Sequence, residues 1–397
     1  MARIGRKPLD RGVVVLGWVS FLSDVASDMI YPLLPDFLTR TLGASPAALG
    51  LIEGVAESTA SLAKAGSGWW SDRVGQRKRF AVIGYTIAAV ARPLIAFARS
   101  WGDVLAIRFA DRVGKGIRTP PRDALIADLA SHGDRGRAFG LQRAMDNAGA
   151  FAGPIVAAIL LKFFVAHERT VFLLALVPGL AAAALLLFRV PDRAPSAPVA
   201  DRPDTAPAGS LPRSFWIATS IFAVFALANS TDAFLLLRAR DAGVPLWQTP
   251  LLWALFQGVK AVTGVPGGAL SDRIGRLPTL AAGWGVYALS YAGFALADSP
   301  AAIWALFAFY GLFFGLTEGA ERALVADLVA GPLRGRAFGI FHAAIGLAAL
   351  PASILFGVVW KALGPRVAFS IGAALALASA AALLVFRGKM GISEKRP

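Results

Sequence analysis

Long apolar runs alternate along this chain with short polar segments, most of them basic. Crossing the hydrocarbon core of a bilayer takes roughly 20 apolar residues in a helix. Inside that core only helices and closed barrels satisfy every backbone group. The runs predict helices at 12–38, 46–70, 79–99, 102–129, 136–162 and 169–189, then at 214–239, 246–270, 278–297, 301–328, 335–361 and 366–387. Between the two sets of six lies Val190 to Arg213, which holds Pro191, Pro195, Pro198, Pro203, Pro207 and Pro212 and no long apolar run. It reads as a flexible linker. The expected fold is all-α, with twelve transmembrane helices in two pseudo-symmetric six-helix bundles. The bundles cover 1–189 and 214–397 (with a short tail), and the linker covers 190–213. The run from Gly12 to Leu38 follows a basic start, but it is too long for a signal-peptide core and contains Asp24 and Asp28. It is read as the first span.

The polar segments repeat. Gly68-Trp-Trp-Ser-Asp72-Arg73-Val-Gly75 returns as Gly268-Ala-Leu-Ser-Asp272-Arg273-Ile-Gly275, and Asp123-Ala-Leu-Ile-Ala-Asp128 returns as Arg322-Ala-Leu-Val-Ala-Asp327. Duplicated halves of this kind mark transporters built around a site at the repeat interface.

Composition agrees. Charged residues are 16% of the chain, against about 25% in soluble domains, and the mean hydropathy is +0.60. A net charge of +15 in a soluble protein would suggest nucleic acid. Here the charge sorts by side. Arg3, Arg6, Lys7, Arg77, Lys78, Arg135, Arg137, Arg276, Arg334 and Arg336 fall on one side of the predicted spans, and few bases fall on the other. By the positive-inside rule both termini and the linker are cytoplasmic, in a bacterial inner membrane, and no nucleic-acid partner is needed. The absence of Cys excludes disulfides and thiolate metal sites. His132, His167 and His342 are too scattered for a His-rich metal site. No metal, nucleophile or phosphate-binding loop points to an enzyme, so the expected energy source is an ion gradient, most simply protons, with no cofactor.

Gly68-x-x-x-Asp72-Arg73-x-Gly75-x-Arg77-Lys78, between spans two and three, resembles the signature loop of the major facilitator superfamily. The resemblance covers essentially the whole chain. Arg112-x-x-Lys115-Gly116 resembles a second family motif, although the family often carries Gln where Lys115 stands. Gly149-x-x-x-Gly153-Pro154 resembles the motif of antiporters, with Ala157 and Ala158 in place of its trailing glycines. The resemblance implies alternating access and a monomer. It also implies a conformational gate of Gly68, Asp72, Arg73, Gly75, Arg77 and Asp128, echoed by Asp272 and Arg273. Spans one, four, seven and ten would line the cavity.

Ionisable residues inside spans cost roughly 2.5–3.5 kcal/mol each on insertion scales and are functional candidates by default. Asp24 and Asp28, and likewise Glu53 and Glu57, share a helix face at i,i+4 spacing. A carboxyl withdrawn from water holds its proton more readily, which suits these four to proton coupling. Arg112, Lys115, Arg118, Asp232, Glu318 and Glu321 are expected along the solute path. Arg112, Arg122, Asp123, Arg143 and Asp146 are expected to pair within the first half, and Tyr287 and Tyr291 to pack. Pro120 and Pro121 are expected to kink span four, and Trp253, Phe256, Phe313 and Phe314 to form an apolar wall. The expected activity is proton-coupled export of a small solute through the bilayer. Proton-driven uptake of an anion on Arg112, Lys115 and Arg118 is the alternative. A membrane sensor or scaffold that does not transport is a second one.

Overall fold

The computed structural model describes residues 9–74, 76–131, 134–164, 167–191, 210–329 and 333–390. Gly75 lies outside them, as do the side chain of Asp72 and most of the linker, and Gly68 is described by its helical backbone alone. Among the described residues twelve membrane-length helices follow one another. They are α1 (Arg11–Thr41), α2 (Pro46–Val74), α3 (Arg77–Phe97), α4 (Trp101–Leu129), α5 (Arg135–Phe164), α6 (Glu168–Arg189), α7 (Arg213–Asp241), α8 (Thr249–Ile274), α9 (Arg276–Leu296), α10 (Pro300–Leu328), α11 (Arg334–Leu363) and α12 (Pro365–Gly388). Eight of them are apolar enough by composition to be recognised as spans, and α2, α4, α8 and α9 are not. In α2 and α4 the shortfall follows from charged residues, of which Glu53, Arg108, Asp111, Arg112 and Arg118 are buried among the helices.

The packing repeats with the sequence. In the first half α1 packs on α5 and α6, and α4 on α2 and α3; in the second, α7 packs on α11 and α12, and α10 on α8 and α9. The halves meet through α2 with α11 and through α5 with α8, which exchange under the same two-fold operation. Residues 200 apart touch near the axis: the Tyr31 hydroxyl lies 3.4 Å from Thr231 Oγ1, and Arg40 donates to the Arg240 carbonyl at 3.2 Å.

One expectation about the spans is corrected. Span seven is broken, since one helix ends at Ala228 and another starts at Ala233. The intervening Asn229-Ser230-Thr231-Asp232 is a run of side chains that compete with the backbone for hydrogen bonds. Thr231 Oγ1 accepts from the Ala233 amide at 3.3 Å, and Ser353 of α11 accepts from the Thr231 amide at 3.3 Å. Span four, by contrast, is one unbroken helix from Trp101 to Leu129 with Pro120 and Pro121 inside it.

At the end opposite the basic loops the halves are sealed. Arg240 of α7 donates to Asp36 of α1 at 2.7 Å, and Arg40 reaches both Asp36 at 3.1 Å and Asp241 at 3.5 Å. Lys162 of α5 sits 4.4 Å above the Trp247 ring. Below this seal α2 and α11 are so close that a side-chain carbon at Gly50 would stand 2.1 Å from the Ser353 carbonyl oxygen. Towards the basic end no heavy atom of the described residues lies within 4 Å of the corresponding position at Gly66, Gly140, Gly264, Gly335 or Gly339.

Candidate translocation site

Between the halves, midway along the helices, lies a cavity of about 660 Å³. Its first-half wall is charged. It includes Asp24 and Asp28 of α1, Glu53 and Glu57 of α2, Arg92 of α3, and Arg112, Lys115 and Arg118 of α4. Its second-half wall is polar and aromatic: Asn229 to Asp232 at the break in α7, Trp253, Gln257 and Lys260 of α8, and Phe314 of α10.

Part of the charge is structural. Glu53 takes two bonds from Arg108 Nη2, at 2.7 and 2.8 Å, and Asp111 takes one from Arg92 Nε at 2.7 Å. Arg108 and Arg112 also approach Asp111, each at 3.6 Å. Asp111 is 1% exposed and Arg92 and Arg108 are 4%, so these charges have exchanged water for one another. Two acids face three guanidinium groups, leaving one positive charge in excess. Arg92 and Arg108 were missed in the sequence reading, although charge inside a predicted span was the available signal.

The other lining groups are less committed. Lys115, Asp24 and Glu57 enter no ion pair within 4 Å among the described residues. Arg118 donates to the Ser23 hydroxyl and lies 4.3 Å from the Tyr85 ring centroid. The Nε atoms of Arg112 and Arg118 are buried without a hydrogen-bond partner. Asp28 accepts from Trp253 Nε1 at 2.8 Å across the two halves, and Asp232 accepts from the Tyr310 hydroxyl at 2.7 Å.

The structure places other expected residues elsewhere. Glu318 does not line the cavity; it binds Arg143 of α5 and lies 3.5 Å from Lys260, both of which do. Glu321, one turn nearer the basic end, does not line it either. Arg143 was expected to pair within its own half, but α5 runs beside α8, and that packing carries it across to α10. Arg122 does stay in its half, with Asp123 at 2.9 Å and Asp146 at 3.8 Å. Of the aromatic wall, Trp253 and Phe314 face the cavity, whereas Phe256 and Phe313 are buried beside Tyr310. Tyr287 and Tyr291 are fully buried and stacked, with centroids 4.1 Å apart.

The loop-motif residues sit at the basic end. Arg77 bonds to Asp128, joining α3 to α4, and Arg276 bonds to Asp272 and lies 3.3 Å from Asp327 in the repeated position. Arg73 and Arg273 are exposed. Gly275 has φ +98°, a conformation that favours glycine. Gly149 and Gly153 let α5 lie against α1, since side-chain carbons there would stand 2.5 and 2.6 Å from the carbonyl oxygens of Phe21 and Val25. Pro154 continues the same helix.

The family model described as Major Facilitator Superfamily matches residues 16–317 and again 251–397. An uncharacterized MFS-type transporter of Methanocaldococcus jannaschii is 33% identical over 386 residues, covering 95% of each chain. The nucleoside transporter NupG superposes with a TM-score of 0.77 at 16% identity, covering 97% of this chain and 100% of that one. A bacterial homologue of the human lysosomal transporter Spinster superposes at 0.73 with 17% identity, over 96% and 95% of the two chains. Duplicated six-helix halves, a cavity between them and matches spanning nearly every residue agree: the chain belongs to the Major Facilitator Superfamily.

Proposed function

We propose that the protein is a proton-coupled carrier that moves a small solute by alternating access, as a single chain in a bacterial inner membrane. The basic loops, and with them both termini, would lie in the cytoplasm, so the cavity described here opens inward. One observation carries this reading: acids (Asp24, Asp28, Glu57) and bases (Lys115, Arg118) that form no ion pair within 4 Å among the described residues share one cavity wall. A proton arriving on one of these acids removes a negative charge beside the bases. A unit charge roughly 5–6 Å away is worth about 3 kcal/mol at an effective dielectric near 20, enough to change the affinity for an acidic solute about a hundredfold. Linkage is reciprocal, so the bound solute raises proton affinity by the same factor, and the two move together. Glu53 is left out of the coupling set because Arg108 holds both its oxygens.

Export by exchange of a cationic solute for a proton is the second reading. It is favoured by the antiporter-like Gly149, Gly153 and Pro154, and by Asp232, which has no base within 4 Å among the described residues. Proteoliposomes loaded with a pH-sensitive dye test both, using wild type and Asp28→Asn against anionic, cationic and neutral solutes. Solute-driven proton entry that disappears in the variant supports coupling at α1, and the sign of the active solute separates symport from exchange. Undiminished proton movement in the variant removes Asp28 from the mechanism. An absence of counterflow for every solute would favour a sensor.

A further inference from the structure

The two walls of the cavity offer opposite charges to one solute, and on each wall some of that charge has no ionic partner among the described residues. On the α4 side Arg118 is 4% exposed, with a buried Nε that has no hydrogen-bond partner; Arg112, 8% exposed, shares Asp111 with Arg92 and Arg108 and approaches it no closer than 3.6 Å; and Lys115, between them in sequence, has no ion pair within 4 Å among the described residues. A buried guanidinium with an open donor is costly unless an acceptor completes it. On the opposite side the first segment of α7 ends at Ala228, in the middle of the span. A helix C-terminus carries partial negative charge on its last carbonyls, and a discontinuous span places that charge inside the protein. The Asn229 amide bonds back to Phe225, and the Tyr287 hydroxyl donates to the Ala228 carbonyl at 2.8 Å, while Ala226 lines the cavity. Asp232 adds an acidic side chain at the same break; it accepts from the Tyr310 hydroxyl and has no base within 4 Å among the described residues.

We propose that the solute is zwitterionic, with its acidic group on Arg112, Lys115 and Arg118 and its ammonium group at the α7 break on Asp232. This rests on the carrier reading above and gives that carrier a substrate class. Contact with both halves at once also gives the solute a role in the cycle. Binding draws α4 of one half and α7 of the other towards a common ligand, which neither a simple anion nor a simple amine would do.

The test uses the purified full-length protein and three sets of probes. These are free α-amino acids and dipeptides, the same compounds N-acetylated, and the same compounds amidated at the carboxyl group. Ligand binding raises the midpoint of thermal unfolding, and proton movement is followed in proteoliposomes. At least one free compound should stabilise wild type, and both single-charge derivatives should bind at least about tenfold more weakly. Asp232→Asn should lose the preference for the free over the N-acetylated form, and Lys115→Gln the preference for the free over the amidated form. The comparison of probes on wild type needs no variant to fold. Equal binding of a free compound and its N-acetylated or amidated form overturns the proposal, as does no binding by any free compound. If anions or amines alone drive protons, the carrier reading stands and the zwitterion fails. If a free compound binds with the charge preference but moves no proton, the site stands and the coupling reading fails.

Discussion

The two halves descend from one sequence unit and share one packing diagram, yet they are consolidated by different forces. In α1 to α6 the interior is ionic: Glu53, Arg108, Asp111, Arg92 and Arg112 form a chain of buried charges across α2, α3 and α4. In α7 to α12 the interior is aromatic. Phe225 stacks on Trp284 at 4.3 Å, Tyr287 on Tyr291 at 4.1 Å, and Phe294, Phe356 and Trp360 gather around Phe369. An ionic interior is sensitive to the gain or loss of a single charge, because each partner left behind is a desolvated ion. Aromatic packing has no such response and holds its shape through dispersion and area. Duplication therefore supplied two scaffolds of one shape, one with an interior that responds to a change of charge and the other with an aromatic interior that does not.

The contrast is broken most directly at Asp111. Asp111→Asn strands Arg92 and leaves Arg108 and Arg112 with less opposing charge, and removing one partner of a buried pair costs about 3–5 kcal/mol. The control in the other half is Tyr287→Phe, which loses one hydrogen bond to the Ala228 carbonyl, worth about 1 kcal/mol. Thermal unfolding in detergent should show a large fall in the midpoint for the first and a small one for the second. Equal shifts would mean that the ionic network is not what holds the first half.

Much of the frame is visible in the sequence because the bilayer imposes it. Apolar length gives the spans, and the repeated Gly-x-x-x-Asp-Arg-x-Gly pattern gives the halves. The site is less visible because its partners are chosen by three-dimensional packing. Asp28 announces itself as an acid in a span, but nothing in the chain pairs it with the indole of Trp253, 225 residues away. Arg143 is legible as a charge and illegible as a bridge to Glu318. The break in α7 was written plainly in Asn229-Ser230-Thr231-Asp232, four residues that favour local bonds over a helix. It is obscured by averaging, since the apolar residues on either side carry the window.

A second comparison lies within α5. Gly153 faces the Val25 carbonyl of α1, whereas the position of a side chain at Gly140 meets no atom of the described residues within 4 Å. Gly153→Val should push α5 off α1, at a cost of about 1–3 kcal/mol for overpacking, and reduce solute-driven proton movement. Gly140→Ala should leave both folding and proton movement near wild type. Were Gly153→Val equally silent, the α1–α5 contact would be looser than its spacing implies.

The smallest expected effect concerns the seal. Asp36 accepts from Arg40 and Arg240, the corresponding arginines of the two repeats, and it is 6% exposed. Asp36→Asn keeps the shape but removes the charge that both guanidinium groups share, so it should raise the fraction of molecules open at this end. Both arginines are partly solvated, which limits the effect to about 1 kcal/mol, or roughly a fivefold change in that fraction. Native Cys is absent, so Thr231→Cys gives a single reporter at the cavity wall just beneath the seal. A membrane-impermeant thiol reagent added from the sealed side should label that reporter faster when Asp36→Asn is also present. Because the aromatic wall of α7 to α12 is untouched, labelling from the basic side should slow as the opposite end opens. An increase from both sides would instead indicate local loosening around α7, and the two ends of the molecule would then not be coupled through the rigid half.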